Sequence, residues 1–65
     1  MSITVGQKVK ITQNDGRFIY GTITHVYPPC DFHSGRFTVL MHDRYMSSLQ
    51  EFWYSDYGKT VTDSK

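Results

Sequence analysis

The apolar segments of this chain all have the two-residue period of β-strands, and none has the three-to-four-residue spacing of an amphipathic helix. Turn-forming residues separate these segments. Asp15-Gly16 favours a turn with two successive positive φ angles, and Pro28-Pro29 ends a strand. The pattern predicts five strands, within residues 7–12, 17–27, 36–42, 50–54 and 59–62. We therefore expect an all-β chain of 65 residues with a single domain over residues 1–65 and a frayed polar tail at 62–65.

The second predicted strand is long and changes phase part-way along. Ile23 and Val26 are both apolar, yet positions three apart fall on opposite faces of a regular strand. We predict a β-bulge near Thr24-His25, which would let the strand bend from one sheet into another. Five short strands with no intervening helix have the count and order of a five-stranded SH3-like barrel. An open meander and an OB-like barrel are the alternatives.

Aromatic residues make up 15% of the chain, which is high for so short a sequence. The aliphatic residues are too few to fill a core, so we expect Phe37 and Phe52 there together with one of Trp53 and Tyr54. Alternation places Phe52 and Tyr54 on one face and Trp53 on the other, so one face keeps a large exposed ring. Such rings stack on bases, hold methylated cations or contact peptides. The predicted ligand-binding residues are Phe18, Tyr20, Tyr45, Trp53 and Tyr57.

The charge of the chain is nearly balanced. Its net charge is +1 and its sequence pI is about 7.9, which argues against a strongly electrostatic nucleic-acid binder. A local basic patch is the alternative. Arg17 and Arg36 each follow a turn glycine, and we expect them to sit together at one end of the barrel. The residues predicted for such a nucleic-acid surface are Arg17, Arg36, Arg44, Lys8 and Lys10.

The sequence carries no recognisable catalytic or metal-binding pattern. Cys30 and His33 have the spacing of a zinc-ligand pair, but a structural zinc site needs four ligands, so we predict loop residues and no metal. The glycines form no phosphate-binding run, and no serine can be assigned to His42-Asp43 as a nucleophile. We therefore expect no cofactor and no enzyme activity. The single cysteine and the lack of a long apolar run predict a cytoplasmic protein without a membrane partner.

Two segments resemble parts of Tudor domains, which are SH3-like barrels. The string Phe18-Ile19-Tyr20-Gly21-Thr22-Ile23-Thr24-His25-Val26 resembles their second strand, in which an aromatic residue precedes a small one and then apolar residues two and five positions on. The string Trp53-Tyr54-Ser55-Asp56-Tyr57-Gly58-Lys59 resembles the Tudor signature of a strand that runs into Asp-Tyr-Gly. The resemblance implies the barrel fold and an aromatic cage for methylated lysine or arginine. In Tudor domains Asp-Tyr-Gly follows the third strand, whereas here it follows the fourth predicted strand.

A second resemblance is to plasmid-borne type II dihydrofolate reductases, which are also short SH3-like barrels. It lies in the run Val5-Gly6-Gln7-Lys8-Val9-Lys10, in the Gly21-x-Ile23 step, and in Leu49-Gln50-Glu51-Phe52. The last segment is similar to a fourth strand of the Val-Gln-Ile-Tyr type. The resemblance implies a tetramer with one shared active pore. Glu51 and Phe52 depart from that strand, and a ring of Glu51 carboxylates near the pore would repel an anionic folate.

These observations predict a small non-catalytic binding module or regulator of phage or plasmid origin. We expect it to engage a protein or peptide through an aromatic surface between the turn that precedes the second strand and the 42–48 loop. Nucleic-acid binding through arginine and aromatic residues is the first alternative, and a tetrameric reductase-like enzyme is the second. The sequence leaves the oligomeric state open, although spare aromatic residues on so small a barrel would allow dimerisation.

Overall fold

The computed structural model describes residues 3–42 and 47–64, and within them it contains five β-strands, one 3₁₀ turn and no α-helix. The strands are β1 (Lys8–Thr12), β2 (Phe18–Tyr27), β3 (Arg36–His42), β4 (Ser47–Trp53) and β5 (Val61–Asp63), and the 3₁₀ turn is Tyr54–Asp56. They form one sheet in the order β4-β3-β2-β1-β5, and every neighbouring pair is antiparallel. The prediction of an all-β chain is confirmed.

The predicted bulge in β2 is present and changes which side chains face outward. Ile23 pairs with Val39, and the next paired residue is His25, opposite Thr38, so Thr24 is the extra residue. A one-residue slip moves all following side chains to the other face of a strand. His25 and Tyr27 therefore point outward after the bulge, on the same face as the exposed side chains before it.

The core forms on the inner face of the sheet and draws on every strand. Its buried members are Val9, Ile11, Ile23, Phe37, Val39, Met41, Phe52 and Val61. Phe52 lies on one edge strand and Val61 on the other, yet both belong to this single cluster, so the sheet must curl toward its inner face. A cleft of about 170 Å³, lined by Ile11, Thr12, Gln13, Asn14, Gln50, Phe52 and Thr60, separates the two edges, which are not paired with each other.

Phe37 is the centre of this core. Its ring lies 5.9 Å from that of Phe52, 6.2 Å from Tyr54 and 6.3 Å from Tyr57, measured between ring centroids. Phe37 and Phe52 are thus in the core as predicted, and Tyr54, half-buried, is the third aromatic residue packed there. Trp53 is on the opposite face, as alternation requires.

The bounds of the last two strands differ from those predicted. β4 begins at Ser47, before the apolar residues of that segment, because its pairing with β3 extends to His42 opposite Ser47. In the segment predicted to fray, Thr62 and Asp63 pair with β1, and the Ser64 amide donates to the Lys8 carbonyl at 3.0 Å. Lys65 lies outside the described residues.

The turn between β1 and β2 also has a different geometry from the one expected. Only Gly16 has a positive φ, of 88°. The Gly16 amide donates to the Gln13 carbonyl at 3.0 Å, and the Gln13 amide donates to the Arg17 carbonyl at 2.7 Å. A loop with this pair of bonds closes the hairpin with a single left-handed glycine, so Asp15 needs no positive φ.

Candidate functional site

Three large side chains form a row across the outer face at one end of the sheet. Tyr27 of β2 is paired with Arg36 of β3, which in turn is paired with Trp53 of β4. Directly paired residues bring their side chains together on one face. The Arg36 guanidinium carbon lies 5.1 Å from the centroid of the Tyr27 ring, and Trp53 is 53% exposed.

Arg36 also forms an ion pair along the sheet. Its Nε lies 3.3 Å from Oε2 of Glu51, and both side chains are about half exposed. Ion pairs with this exposure contribute at most about 1 kcal/mol, because water screens them and two flexible side chains must be held in place. The guanidinium is therefore oriented by its neighbours at little cost, and a ligand that offers another anion can redirect it.

The loop between β2 and β3 supplies a fourth side chain to this site, that of His33. Cys30 and His33 exchange two backbone hydrogen bonds, N–H to O, at 3.0 and 3.3 Å, so the chain reverses through the two residues Asp31 and Phe32. The Gly35 amide then donates to Nδ1 of His33 at 3.3 Å and fixes the imidazole. Together Tyr27, His33, Arg36 and Trp53 line a cleft of about 200 Å³, which we name the rim cleft.

The Cys30-x-x-His33 spacing thus reflects a tight turn of the backbone. Among residues 3–42 and 47–64, no three His, Cys, Asp or Glu side chains are grouped closely enough to hold a metal ion. In the same part of the chain, no helix is long and apolar enough to cross a membrane.

The five predicted ligand-binding residues do not form one surface. Trp53 is in the rim cleft, whereas Phe18 and Tyr20 are exposed at the opposite end of β2. Tyr20 and Tyr27 are seven positions apart along the strand, a distance of about 20 Å at the usual rise per residue. The expectation of a single aromatic surface beside the turn before β2 is therefore wrong for Trp53. Tyr45 lies outside the described residues.

Tyr57 has a structural position. It is half-buried, its ring meets Phe37 edge-on, and its hydroxyl accepts a hydrogen bond from Nε2 of Gln7. This bond joins the segment before β1 to the segment before β5. Because its ring packs inward on the core and its hydroxyl accepts a hydrogen bond from Gln7, Tyr57 supports the fold.

The predicted basic residues are also divided. Arg17 lies at the turn before β2, where its Nε is 3.4 Å from Oδ2 of Asp15, and Arg36 lies opposite Tyr27 at the far end of β2. The expectation that these two arginines sit together is wrong, because they flank opposite ends of a ten-residue strand. Arg44 lies outside the described residues.

The two lysines of β1 lie near the other exposed rings that the sequence predicted, Phe18 and Tyr20. Nζ of Lys10 is 4.5 Å from the centroid of Phe18, and Lys10 is paired with Tyr20. Nζ of Lys8 donates to Oγ1 of Thr22 at 3.1 Å. We name Lys8, Lys10, Phe18 and Tyr20 the lysine patch. It shares the outer face of the sheet with the rim cleft but lies at the other end.

Sequence reasoning missed Tyr27 and His33. Tyr27 could have been predicted from the sequence, because a bulge at residues 24–25 turns its side chain to the same face as that of Tyr20. His33 carried no such signal, since its direction depends on the hydrogen bond from Gly35. Comparison of the chain with protein-family models, with curated proteins and with solved structures finds no match.

Proposed function

We propose that this chain is an SH3-like barrel that acts as a non-catalytic binding module and engages a protein or peptide through the rim cleft. The barrel assignment is supported by the order β4-β3-β2-β1-β5, by the bulge that bends β2, and by a core that both edge strands share. In barrels of this size, closure or near-closure protects sheet edges that would otherwise be open to pairing.

The observation that carries the proposal is the row of Tyr27, Arg36 and Trp53 opening into a cleft. Tyrosine, tryptophan and arginine are the residues most enriched in the energetically dominant positions of protein interfaces. Here all three are paired across strands, which holds the two rings on either side of the guanidinium. Strand positions fix a binding side chain more firmly than loops do, so the site is largely formed before a ligand arrives.

The same geometry argues against a cage for a methylated cation at this place. Such a cage needs open aromatic faces toward which the cation is drawn. The face of Tyr27 is already covered by the guanidinium of Arg36. A second cation brought to this ring would be repelled by Arg36, so the ligand group that suits the cleft is neutral or anionic.

Replacement of Trp53 tests the proposal. We expect Trp53→Ala to weaken the interaction with the partner at least about tenfold, because a half-exposed tryptophan beside an arginine has the character of a dominant contact. The wild-type chain is used to isolate its partner from the source cell, and the affinity of each variant for the purified partner is then measured by calorimetry.

Tyr20→Ala is the matched control. Tyr20 is 55% exposed against 53% for Trp53 and lies on the same face, but at the other end of the sheet. We expect this variant to bind with the wild-type affinity. Loss of binding in Tyr20→Ala with retention in Trp53→Ala would move the binding site to the lysine patch and refute the proposal.

Nucleic-acid binding is a second candidate function, favoured by the lysine patch. Two ammonium groups and two exposed rings lie side by side on β1 and β2. Single-stranded nucleic acids bind to such surfaces, because the cations contact the phosphates and the rings stack on the bases. The arginine of the rim cleft lies too far away to extend the patch.

The salt dependence of binding to a fluorescent single-stranded oligothymidine tests this candidate. Two phosphate contacts to a single strand predict a loss of affinity of roughly sevenfold between 50 and 200 mM salt. The double variant Lys8→Gln, Lys10→Gln should remove this dependence, with Lys59→Gln as a control in an exposed turn outside β1 and β2. An affinity that does not change with salt, or that the double variant retains, would exclude the patch as a nucleic-acid site.

The second alternative from the sequence, a reductase-like enzyme, requires a tetramer around a shared pore. The proposal made here is non-catalytic, and a chain that sediments as a monomer or dimer at all concentrations would exclude the tetrameric alternative. No contact of the described residues favours it, and Glu51, which departs from the reductase pattern, is paired with Arg36.

A further inference from the structure

The tip of the loop between β2 and β3 exposes an aromatic side chain that the fold does not use. Phe32 is 94% exposed, the highest value among the large apolar residues that the structure describes. Its neighbour Asp31 is exposed as well, and the two residues form the turn between Cys30 and His33. An almost fully exposed phenylalanine is unfavourable in water, and such residues mark contact sites.

The chemistry of this tip complements that of the rim cleft. The tip presents a carboxylate next to a phenyl ring. The cleft presents the guanidinium of Arg36 between the rings of Tyr27 and Trp53. Cavities of about 150 Å³ admit benzene, so a cleft of about 200 Å³ has room for the ring of Phe32.

Phe32 does not fill the cleft of its own chain, because its side chain is almost wholly exposed. The tip and the cleft are nonetheless adjacent, since His33 directly follows Phe32 and lines the cleft. When a projection and a complementary recess lie side by side on one surface, a twofold axis between them places each projection in the recess of the other copy. The interface closes on itself, and no further copies can add through it.

We propose that the chain forms a symmetric dimer in which Phe32 of each copy enters the rim cleft of the other and Asp31 meets its Arg36. The proposal rests on the proposed function, because it names the occupant of the same cleft. It adds that the external partner must displace the second copy, so partner binding and dimerisation compete. The Arg36 guanidinium is held by an exposed ion pair with Glu51 and lies over the ring of Tyr27, and it turns to the incoming carboxylate.

Only a weak dimer is expected from a surface of this size. The exposed parts of Phe32, Trp53 and Tyr27 amount to about 400 Å² per copy, against about 800 Å² in a standard interface. We therefore expect a dissociation constant of about 10–1000 μM for the dimer. Sedimentation velocity across that range of concentrations should show the change from monomer to dimer.

Trp53 gives a second measurement that reports on the cleft itself. It is the single tryptophan of the chain, so its indole N–H gives one resonance. We expect this resonance to shift on dilution of the wild type, and its midpoint concentration should equal that of the sedimentation change. In Phe32→Ser the protein concentration at which half of the chain is dimeric should rise at least about tenfold. The variant should fold as the wild type does, because the replaced side chain touches almost nothing.

A charge exchange tests the pairing of Asp31 with Arg36 in the second copy. Asp31→Lys and Arg36→Glu each place like charges at both contacts of their own dimer, so each alone should remain monomeric at concentrations where the wild type dimerises. In an equimolar mixture, each tip of one variant meets an opposite charge in the cleft of the other. We expect the mixture to dimerise with nearly the wild-type midpoint.

Three outcomes would overturn the dimer proposal: a wild type that stays monomeric throughout, a Phe32→Ser midpoint equal to that of the wild type, or a mixture that does not recover dimerisation. If Arg36→Glu does not fold, the Phe32→Ser and wild-type midpoints decide alone. The proposed function fails separately, through unchanged partner affinity in Trp53→Ala. A monomeric chain whose partner shifts the Trp53 resonance would keep the proposed function and refute the dimer.

Discussion

Phe37→Ala is expected to remove a large share of the stability of the domain at 25 °C. Phe37 has no exposed surface and is the ring around which Phe52, Tyr54 and Tyr57 pack. Truncation of a buried phenylalanine costs about 3–5 kcal/mol, because the lost apolar contacts leave a cavity that the neighbours fill only in part. A domain of this length has a total stability of about 3–10 kcal/mol, so one substitution removes a large share of it.

Urea unfolding followed by circular dichroism measures this loss. Phe18→Ala is the matched control, since it removes the same side chain from a strand where the ring is 52% exposed and lies beneath Lys10. We expect the control to cost less than about 1 kcal/mol. If the two variants lost equal stability, the core would not be centred on Phe37, and the assignment of the inner face would be wrong.

The strands were predictable because their signal is local. Alternation along β1 and β3 marks Val9, Ile11, Phe37, Val39 and Met41 as inward-facing, and all five are buried. The bulge was predictable for a related reason. A bulge is the simplest way to let both Ile23 and Val26 reach the core, and the register does shift there.

The site was predictable only in its parts. Sequence reasoning named Trp53 and Arg36 separately and assigned them to different functions. Their meeting depends on the register of β3 against β4, which places them opposite each other. No local pattern encodes that register, since it is set by the whole set of inward-facing residues on both strands.

The residues expected to form one surface beside the turn before β2 lie in two separate patches. The reason is again that a local pattern does not show which residues are neighbours. Phe18, Tyr20 and Trp53 all lie on the outer face, but the outer face of a ten-residue strand is long enough to hold two sites. Sequence alternation gives the face of a residue and not its neighbours along that face. The lysine patch and the rim cleft are therefore distinct candidates, and the control at Tyr20 separates them.

A second variant with a large expected effect is Gly35→Ala, which acts on the loop that forms the wall of the rim cleft. Gly35 has a φ of +86°, in the left-handed region, and is buried. A Cβ at this position would lie 2.7 Å from the nitrogen of Pro29 and 2.8 Å from its Cδ. These atoms belong to the backbone and to a rigid ring, so the loop itself would have to move.

The loss of stability in Gly35→Ala has two parts, the backbone penalty of a positive φ and the clash with Pro29. Gly16→Ala is a matched control that measures the first part alone. Gly16 has nearly the same φ, +88°, but no atom lies within 4 Å of the added Cβ. The control should cost about 1–2 kcal/mol, which is the backbone penalty alone. Gly35→Ala adds the clash with Pro29, and we expect a total of at least about 3 kcal/mol and a fall in Tm of roughly 15 °C or more.

The two variants also differ in what they do to the cleft. The Gly35 amide donates to His33, and its carbonyl accepts from the Tyr54 amide at 3.2 Å, so the glycine ties the loop to the residue that follows Trp53. The Trp53 indole resonance should therefore shift in Gly35→Ala and stay in place in Gly16→Ala. Equal costs and an unmoved resonance would mean that the loop closes without the contact to Pro29. The position of His33 would then depend on the 30–33 turn alone.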